Sequence, residues 1–357
     1  MSRFLNRQYE KLEPYTPGEQ PKTDGLIKLN TNENPYEPSP RARRVLCEEQ
    51  VSKLMLYPDP EAAELVNAVA DYYGLEKEQV IAGNGSDEIL AFCFMAFKSP
   101  SAKVYFPEPS YGFYKVYSDV FLLKSNPIPL KEDLRIDPEK YKNLDGTIIL
   151  ANPNAPTGIA LNLEDIEDIL KANKSNLVII DEAYVDFGAK SCVPFLQKYD
   201  NLLIVQTFSK SRSLAGARVG FAMGSKELIA DLNRIKFSFN PYNLNRLSVQ
   251  AAAAAIRDDE YFQKTRKKII ETRTWISAEL EALGFTVLPS SANFIFVKSG
   301  SLSGKDYFTG LRERNILVRH FEKEPVSDFV RITIGKEEDM RTLLSVTKGL
   351  LTERNRR

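Results

Sequence analysis

Short apolar runs alternate with stretches of helical spacing over the first two thirds of the chain. The apolar runs, each about the length of one buried strand, are residues 80–82, 103–106, 147–150, 177–180, 202–205 and 219–223. Apolar residues recur with helical spacing in residues 40–53, 61–73, 86–97, 111–120 and 163–172. Strands separated by helices are typical of a mostly parallel sheet with helices on both faces. We therefore predict an α/β fold for this region.

A different order of elements begins after about residue 242. Two long helical stretches, residues 244–257 and 259–283, come first. They are followed by strand-like runs at residues 285–288, 294–297, 316–318 and 330–334, and by helical stretches at residues 306–314 and 337–351. Mixed helices and strands in this order predict a smaller α+β domain.

The first 38 residues are polar and rich in proline, which is typical of an extended arm. We therefore divide the chain into three parts. Residues 1–38 form an N-terminal arm that packs with the small domain and a partner subunit, residues 39–245 form the large domain, and residues 246–357 form the small domain.

The charge balance excludes several classes of partner. Lysine plus arginine and aspartate plus glutamate both number 48, so no net charge favours nucleic acid or a membrane surface. The sequence contains no apolar run of membrane-spanning length and no signal peptide at its start. We expect a cytoplasmic protein with neither nucleic-acid nor membrane partners.

Cysteine and histidine usage narrows the chemistry. Cys47, Cys93 and Cys192 lie far apart, which fits a reducing compartment and predicts no metal site. His320 is the single histidine of the sequence, which argues against a histidine-based catalytic triad and a histidine-rich metal site. Because Arg319 precedes it on a predicted strand, we expect His320 to face the opposite way and to be structural.

The most informative segment surrounds Lys210, just after a predicted buried strand. A lysine amine can attack a carbonyl, whereas Thr207, Ser209 and Arg218 are of the types that bind a phosphate monoester. A cofactor that carries both groups, such as pyridoxal phosphate, would fit this segment. The alternative is an ordinary solvated loop.

Other polar residues also follow predicted strands, where α/β proteins bind ligands. Residues 83–86 could bind an anion at a helix N-terminus or could simply form a capped turn, and Glu88 occupies the place of the third glycine of a dinucleotide site. Asp181 could pair with a cationic ring nitrogen or be structural. Tyr111 could stack on a flat cofactor or belong to the core. No Walker A loop accompanies the acidic strand end, which argues against a nucleotide hydrolase.

Seven sequence pieces, in this order, resemble the fold-type I pyridoxal-phosphate-dependent aminotransferases of classes I and II. They are L-N-T-N-E-N-P (29–35), Y-P-D (57–59), G-N-G-S-D-E (83–88), N-P-N-A-P-T-G (152–158), D-E-A-Y (181–184), S-K with an arginine eight residues after the lysine (209–218), and V-R-I-T-I-G (330–335). The resemblance spans nearly the whole chain and implies a mostly parallel sheet of seven strands. Within the family, the chain looks like the members that act on histidinol phosphate.

The resemblance implies roles for individual residues. Lys210 would hold pyridoxal 5'-phosphate covalently and then move a proton between the substrate Cα and the cofactor. Asp181 would pair with the ring nitrogen, and Tyr184 would hydrogen-bond the ring hydroxyl. The remaining implied cofactor contacts are Gly85, Ser86, Asp87, Tyr111, Asn154, Thr207, Ser209 and Arg218, with Tyr57 supplied by the neighbouring subunit. A homodimer with shared active sites is therefore implied.

The resemblance also implies a reaction, in which L-histidinol phosphate and 2-oxoglutarate give imidazole-acetol phosphate and glutamate during histidine biosynthesis. The implied substrate contacts are Tyr15, Asn34, Arg319 and Arg331. An arginine binds a carboxylate as readily as a phosphate, so an aromatic amino-acid transaminase remains an alternative. A phosphothreonine decarboxylase on the same scaffold and a regulatory protein without turnover are two others.

Two positions depart from the family pattern. Ala155 stands where the family usually has an asparagine that contacts the ring hydroxyl, and Glu37 replaces a glycine of the arm motif. We expect Tyr184 alone, or Tyr184 helped by Asn154 or a water molecule, to hold the hydroxyl. Loss of one such hydrogen bond costs about 0.5–1.5 kcal/mol, which would tune the cofactor without abolishing activity.

Overall fold

The computed structural model describes residues 2–21, 25–97 and 102–355. Its strands are β1 (Ile27–Lys28), β2 (Val80–Gly83), β3 (Lys103–Glu108), β4 (Lys124–Pro129), β5 (Thr147–Ala151), β6 (Val178–Asp181), β7 (Leu202–Thr207), β8 (Gly220–Gly224), β9 (Phe285–Val287), β10 (Phe294–Ser299), β11 (Ile316–Leu317), β12 (Arg319–His320) and β13 (Phe329–Thr333). Its α-helices are α1 (Pro40–Arg44), α2 (Glu48–Ser52), α3 (Ala63–Tyr73), α4 (Gly85–Ala96), α5 (Phe113–Val120), α6 (Leu163–Ala172), α7 (Lys226–Phe239), α8 (Arg246–Ile256), α9 (Asp259–Ala282), α10 (Gly304–Arg312) and α11 (Glu337–Asn355). Residues 1, 22–24, 98–101, 356 and 357 of the predicted domains lie outside the described residues.

Seven strands form the central sheet in the order β2-β8-β7-β6-β5-β3-β4. Only β8 runs against its neighbours, so the sheet is mostly parallel. Every residue of β5 to β8 is buried, as expected for strands covered on both faces. Helices α3, α6 and α8 cover one face and α4, α5 and α7 cover the other. The predicted α/β architecture is thus present.

A second sheet lies in the C-terminal part, with the antiparallel order β12-β13-β10-β9. It shares a core with α9, α10 and α11. Strand β1 of the arm pairs in parallel with β11, so this part of the arm joins the small unit. Helix α8 packs into the core of the large sheet, although the predicted boundary precedes it. The domain bounds themselves stay a prediction.

Several elements differ from the sequence prediction, among them β1, which lies in the predicted arm. Strand β4 was not predicted, because Pro127 and Pro129 lie within it. It forms the sheet edge, where a missing N–H is tolerated. Helix α7 was also missed, although Ser225 caps it by accepting a hydrogen bond from the Leu228 amide at 3.3 Å. The predicted helix over residues 40–53 is two short helices, α1 and α2.

Within the described residues, no helix is long and apolar enough to cross a membrane.

Candidate active site

A cavity lies at the carboxyl ends of β6 and β7, beside the first turn of α4. It holds about 560 Å³ of open space, its mouth included. Its lining residues are Ser86, Asp87, Tyr111, Ala151, Ala155, Asp181, Ala183, Tyr184, Thr207, Ser209, Lys210 and Arg218. All of these except the three alanines were candidates from the sequence. The sheet therefore brings together residues that are up to 132 positions apart, from 86 to 218.

The backbone at the start of α4 is open to an anion. Asn84, the residue before the helix, makes no side-chain cap, so the first N–H groups keep their donor capacity. Gly85 has a φ of +80°, and a Cβ there would lie 2.5 Å from an Arg218 nitrogen. A Cβ on Gly220 would lie 2.3 Å from the Ser86 nitrogen. Glycine at 85 and 220 thus lets an arginine and a helix N-terminus converge on one point.

Hydroxyl groups complete this corner of the cavity. Thr207 donates to the Ser209 hydroxyl at 3.0 Å, and Arg218 donates to the same hydroxyl at 3.4 Å. Asp87 accepts hydrogen bonds from Arg218 at 2.9 Å and from Tyr111 at 2.7 Å, and so orients both. Burial is the main cause that raises the pKa of Tyr111 well above its usual value, and the negative charge of Asp87 raises it further. This tyrosine therefore stays neutral. A guanidinium, two hydroxyls and free backbone N–H groups are a donor set for a phosphate monoester.

Lys210 lies in the same cavity. Its ammonium donates to the Thr31 carbonyl oxygen at 3.2 Å and lies 5.7 Å from the centre of the Tyr184 ring. Asn34 donates to the backbone carbonyls of Lys210 at 2.9 Å and Ser211 at 3.2 Å. The structure therefore places Asn34, predicted to bind substrate, as a brace for the lysine loop.

Asp181 is buried at the end of β6 with 5% of its surface exposed. It accepts hydrogen bonds from the Tyr114 hydroxyl at 2.8 Å and the Ala183 amide at 3.2 Å. Burial raises its pKa to about 6, even though both hydrogen bonds act to lower it. Among the described residues, no cationic nitrogen lies within 4.0 Å of it. The site thus favours a cationic partner for Asp181.

Sequence reasoning missed Tyr114. It lies three residues after Tyr111 on the first turn of α5, and the two rings meet edge to face with their centres 5.7 Å apart. The spacing of three was a usable signal, because residues three apart share a helix face. What could not be read from the sequence is that this face meets the end of β6.

The structure shows the surroundings of Ala155, which stands where the family usually has an asparagine. Ala155 lines the cavity, whereas Asn154 does not. The Asn154 side chain accepts from the Ser110 hydroxyl at 2.7 Å and donates to the Pro109 carbonyl at 3.2 Å. Tyr184 lines the cavity, and its hydroxyl oxygen accepts a hydrogen bond from the Asn32 side chain at 2.9 Å.

Two arginines and a tyrosine approach this cavity from the small unit and the arm. Arg319 on β12 lies directly opposite Arg331 on β13. Burial raises the pKa of Tyr15, and both arginines act in the opposite direction. The Tyr15 ring also lies 6.1 Å from that of Tyr111, between centres. Tyr15 therefore joins the arginine pair to the cavity.

The arginine pair carries unneutralised charge. Arg331 donates to the Asn30 carbonyl at 2.9 Å, its buried Nε has no hydrogen-bond partner among the described residues, and burial lowers its pKa. Neither Arg319 nor Arg331 has a carboxylate oxygen within 4.0 Å in the part of the chain that the structure describes. Two adjacent guanidinium groups that form no ion pair with a carboxylate are typical of an anion site.

Tyr57 and His320 lie away from the cavity. Tyr57 is 78% exposed and stacks on Tyr242, with ring centres 4.6 Å apart. His320 contacts the Ser327 carbonyl oxygen at 2.7 Å and stacks on Phe308. The histidine thus has the structural surroundings expected of it, and Tyr57 is not among the residues that line the cavity.

Comparison with known proteins places this geometry in a family. The family model "Aminotransferase class I and II" matches residues 24–346. The chain is 49% identical to the histidinol-phosphate aminotransferase of Brachyspira hyodysenteriae, over 98% of this chain and 99% of that protein. It is 51% identical to the histidinol-phosphate aminotransferase of Clostridium acetobutylicum, again over 98% of this chain and 99% of that protein.

Solved structures agree with the fold. The crystal structure of a histidinol-phosphate aminotransferase from Clostridium acetobutylicum is 27% identical, with a TM-score of 0.84 over 93% of this chain and 100% of that one. The Sinorhizobium meliloti histidinol-phosphate aminotransferase, solved in complex with pyridoxal-5'-phosphate, is 23% identical, with a TM-score of 0.89 over 99% of both chains. The predicted fold-type I architecture is confirmed.

Proposed function

We propose that this chain, which belongs to the class I and II aminotransferases, exchanges an amino group between L-histidinol phosphate and 2-oxoglutarate with pyridoxal phosphate as its cofactor. The observation that carries the substrate assignment is the unneutralised pair Arg319 and Arg331 beside the lysine cavity. The names of the relatives that are 49% and 51% identical support the same substrate.

The donor set of the cavity fits pyridoxal phosphate at three points. The amine of Lys210 suits the cofactor's carbonyl group. Arg218, Ser209, Thr207 and the α4 N-terminus suit its phosphate. Asp181, buried and without a cation, suits a protonated ring nitrogen. When bound, the cofactor supplies an electron-accepting ring that makes the Cα proton of the substrate removable.

Lys210 is the residue that we assign to proton transfer. The cavity is lined by no histidine, and its carboxylates have other partners: Asp181 is held by Tyr114, and Asp87 by Arg218 and Tyr111. A lysine freed from the cofactor would carry an amine that can take a proton from the substrate Cα and deliver it to the cofactor carbon that bore the carbonyl group. The Thr31 carbonyl, 3.2 Å from the Lys210 nitrogen, gives that amine a fixed resting contact.

Asp181 and Tyr184 would set the cofactor's charge. A carboxylate at the ring nitrogen keeps that nitrogen protonated, and the raised pKa of Asp181 would fall once a cation lies beside it. The Tyr184 hydroxyl would donate a hydrogen bond to the ring oxygen of the cofactor, whereas the Ala155 side chain has no group that can donate one. Tyr111, held by Asp87, would cover the ring.

The charge of the arginine pair favours a phosphate over a carboxylate substrate. A phosphate monoester carries about −1.5 to −2 charges at pH 7 and offers three acceptor oxygens. A single carboxylate would neutralise only one of the two guanidinium groups. An aromatic amino acid therefore fits this end of the site less well than histidinol phosphate does.

We also propose a homodimer with shared sites and a cytoplasmic location. Large apolar side chains just before Tyr57 are exposed, which is typical of an interface; they are Leu46, Val51, Leu54, Met55 and Leu56. Tyr57 would then reach the cofactor phosphate of the partner subunit. The location is supported by three cysteines that are free of disulfides.

The proposal is tested by mixing purified protein with pyridoxal phosphate, histidinol phosphate and 2-oxoglutarate. We expect visible absorbance from the cofactor attached to Lys210 and the formation of glutamate. The matched control is Lys210→Ala, which should show neither. A wild-type protein that stays colourless at saturating cofactor would refute the proposal.

A further inference from the structure

Asn32 lies where the arm, the small sheet and the cavity meet. Its φ of +56° lies in the left-handed region, which asparagine tolerates better than most residues. Only 1% of its surface is exposed. A buried asparagine in this backbone conformation needs partners for all of its polar groups.

All four polar groups of Asn32 have a partner. Its amide N–H donates to the Thr333 hydroxyl at 3.0 Å, and its carbonyl accepts from Asn293 at 3.0 Å. In the side chain, Oδ1 accepts from the Thr333 hydroxyl at 3.1 Å, and Nδ2 donates to the Tyr184 hydroxyl oxygen at 2.9 Å. Three of the four bonds thus anchor Asn32 to the small unit, and the fourth reaches the cavity.

Thr333 fixes which way the Asn32 amide faces. Its oxygen accepts the Asn32 backbone proton, so its own hydroxyl proton needs an acceptor, and Oδ1 is the atom within reach. The NH₂ group then faces Tyr184. A flipped amide would leave the Thr333 proton without a partner in a buried position, which costs about 1–3 kcal/mol.

We propose, on the basis of the proposed function, that Asn32 is a positioning residue that commits the Tyr184 hydroxyl to donate its proton into the cavity. Because the Tyr184 oxygen accepts from Asn32, its proton is left over, and no hydrogen bond among the described residues takes that proton. The proton is therefore available for the ring oxygen of the cofactor. Most family members have an asparagine at position 155 that contacts the ring oxygen. In this chain Asn32 compensates for its loss, because it directs the Tyr184 hydroxyl to donate there.

Strand β13 connects the Asn32–Tyr184 contact to the arginine pair. Thr333 orients Asn32, and Arg331 lies two residues earlier on the same strand. Residues two apart on a strand point to the same face. The strand that carries the anion-binding arginine therefore also sets the donor at the cofactor.

The experiment is a pH titration of the visible absorbance of the cofactor-loaded protein. A donor at the ring oxygen stabilises negative charge there and lowers the pH midpoint of the absorbance change. Asn32→Gly keeps the backbone conformation and removes the amide, and we expect the midpoint to rise by roughly 0.5–1 pH unit, the size of one neutral hydrogen bond. Asn32→Asp places an acceptor at Tyr184, diverts its proton, and should raise the midpoint by about one unit or more.

Asn30→Gly is the matched control, since the Asn30 side chain bonds the Glu19 carbonyl at 2.9 Å and makes no contact with Tyr184. It should leave the midpoint unchanged, whereas Tyr184→Phe should raise it. If the Asn32 variants do not fold, Thr333→Val leaves Asn32 in place and removes the hydroxyl that orients its amide and accepts its backbone N–H, and it should still raise the midpoint.

The outcomes separate two failures. Wild-type protein that develops no absorbance with pyridoxal phosphate refutes the proposed function. Wild-type protein that absorbs, with a midpoint that moves in Tyr184→Phe but not in the Asn32 variants or Thr333→Val, overturns the role of Asn32 alone.

Discussion

The two ends of the cavity are built differently. At the cofactor end, Asp87, Asp181 and Arg218 lie on or beside one rigid sheet and bond to neighbours within the chain. At the arginine end, Arg319 and Arg331 come from the small sheet and lack a counter-charge among the described residues. The first end is organised before any ligand binds, and the second is completed by its ligand. Changes at the first should abolish chemistry, and changes at the second should alter selectivity.

The largest effect is expected at Lys210. Lys210→Ala removes both the covalent attachment and the proton carrier, and general-base catalysis alone contributes about 10²–10⁴-fold. We expect turnover to fall at least about 10⁴-fold, while the folded protein remains, as measured by initial rates and circular dichroism. Turnover within tenfold of wild type would mean that the cofactor end is not the site of chemistry.

Asp181→Asn should come next. Removing one partner of a buried charge pair costs about 3–5 kcal/mol, so we expect kcat to fall by roughly 150- to 5,000-fold. A variant with unchanged kcat would contradict the pairing of Asp181 with the ring nitrogen.

The same substitution should have the opposite effect on the stability of the cofactor-free protein. Because burial raises the pKa of Asp181 from 3.8 to about 6, the folded state holds this proton more tightly than the unfolded chain does. Stability is therefore lost as the pH rises from about 4 through 6. At pH 8, Asp181→Asn should be more stable than wild type by on the order of 2–3 kcal/mol, and at pH 4 the difference should vanish. Urea unfolding at both pH values measures this, and equal differences at pH 4 and 8 would contradict it.

Arg331→Ala tests the other end. Truncating one partner of a buried charge pair costs 2–5 kcal/mol, so kcat/KM for histidinol phosphate should fall by about 100-fold. The control substrate is histidinol, which lacks the phosphate and should lose far less. Equal losses of kcat/KM for both substrates would show that the arginine pair does not bind the substrate phosphate.

The smallest effect is expected at Tyr57. Tyr57→Phe removes one hydroxyl from the phosphate of the partner's cofactor, which should weaken cofactor affinity by about 2- to 10-fold. Equilibrium titration with pyridoxal phosphate measures it, and sedimentation gives the oligomeric state. A monomer that binds the cofactor as tightly as wild type would exclude the shared site.

The sequence predicted the cofactor end better than its surroundings. Asp181 ends one buried strand and Lys210 follows another, and strand ends of a parallel sheet meet at one edge. The local pattern therefore placed both residues at that edge, whereas their roles came from the family resemblance. Tyr114 and Asn32 act through contacts 67 and 152 residues away, which no local pattern reports. Asn34 belongs to a recognisable motif, but its side chain bonds backbone carbonyls around Lys210. Such a choice between ligand and brace depends on packing and not on residue type.

The fold shows the same limit. The buried strands β5 to β8 were all predicted, because each contains an uninterrupted apolar run. The edge strand β4 was not, because its two prolines are acceptable only at an edge, and the sequence does not state which strand lies there.

The most direct test of the account compares two amino donors. We measure kcat/KM for histidinol phosphate and for phenylalanine, each with 2-oxoglutarate at saturation. The unneutralised arginine pair predicts a clear preference for histidinol phosphate. A preference for phenylalanine of tenfold or more would contradict the account. It would indicate that the arginine pair binds the carboxylate of the substrate and not a phosphate.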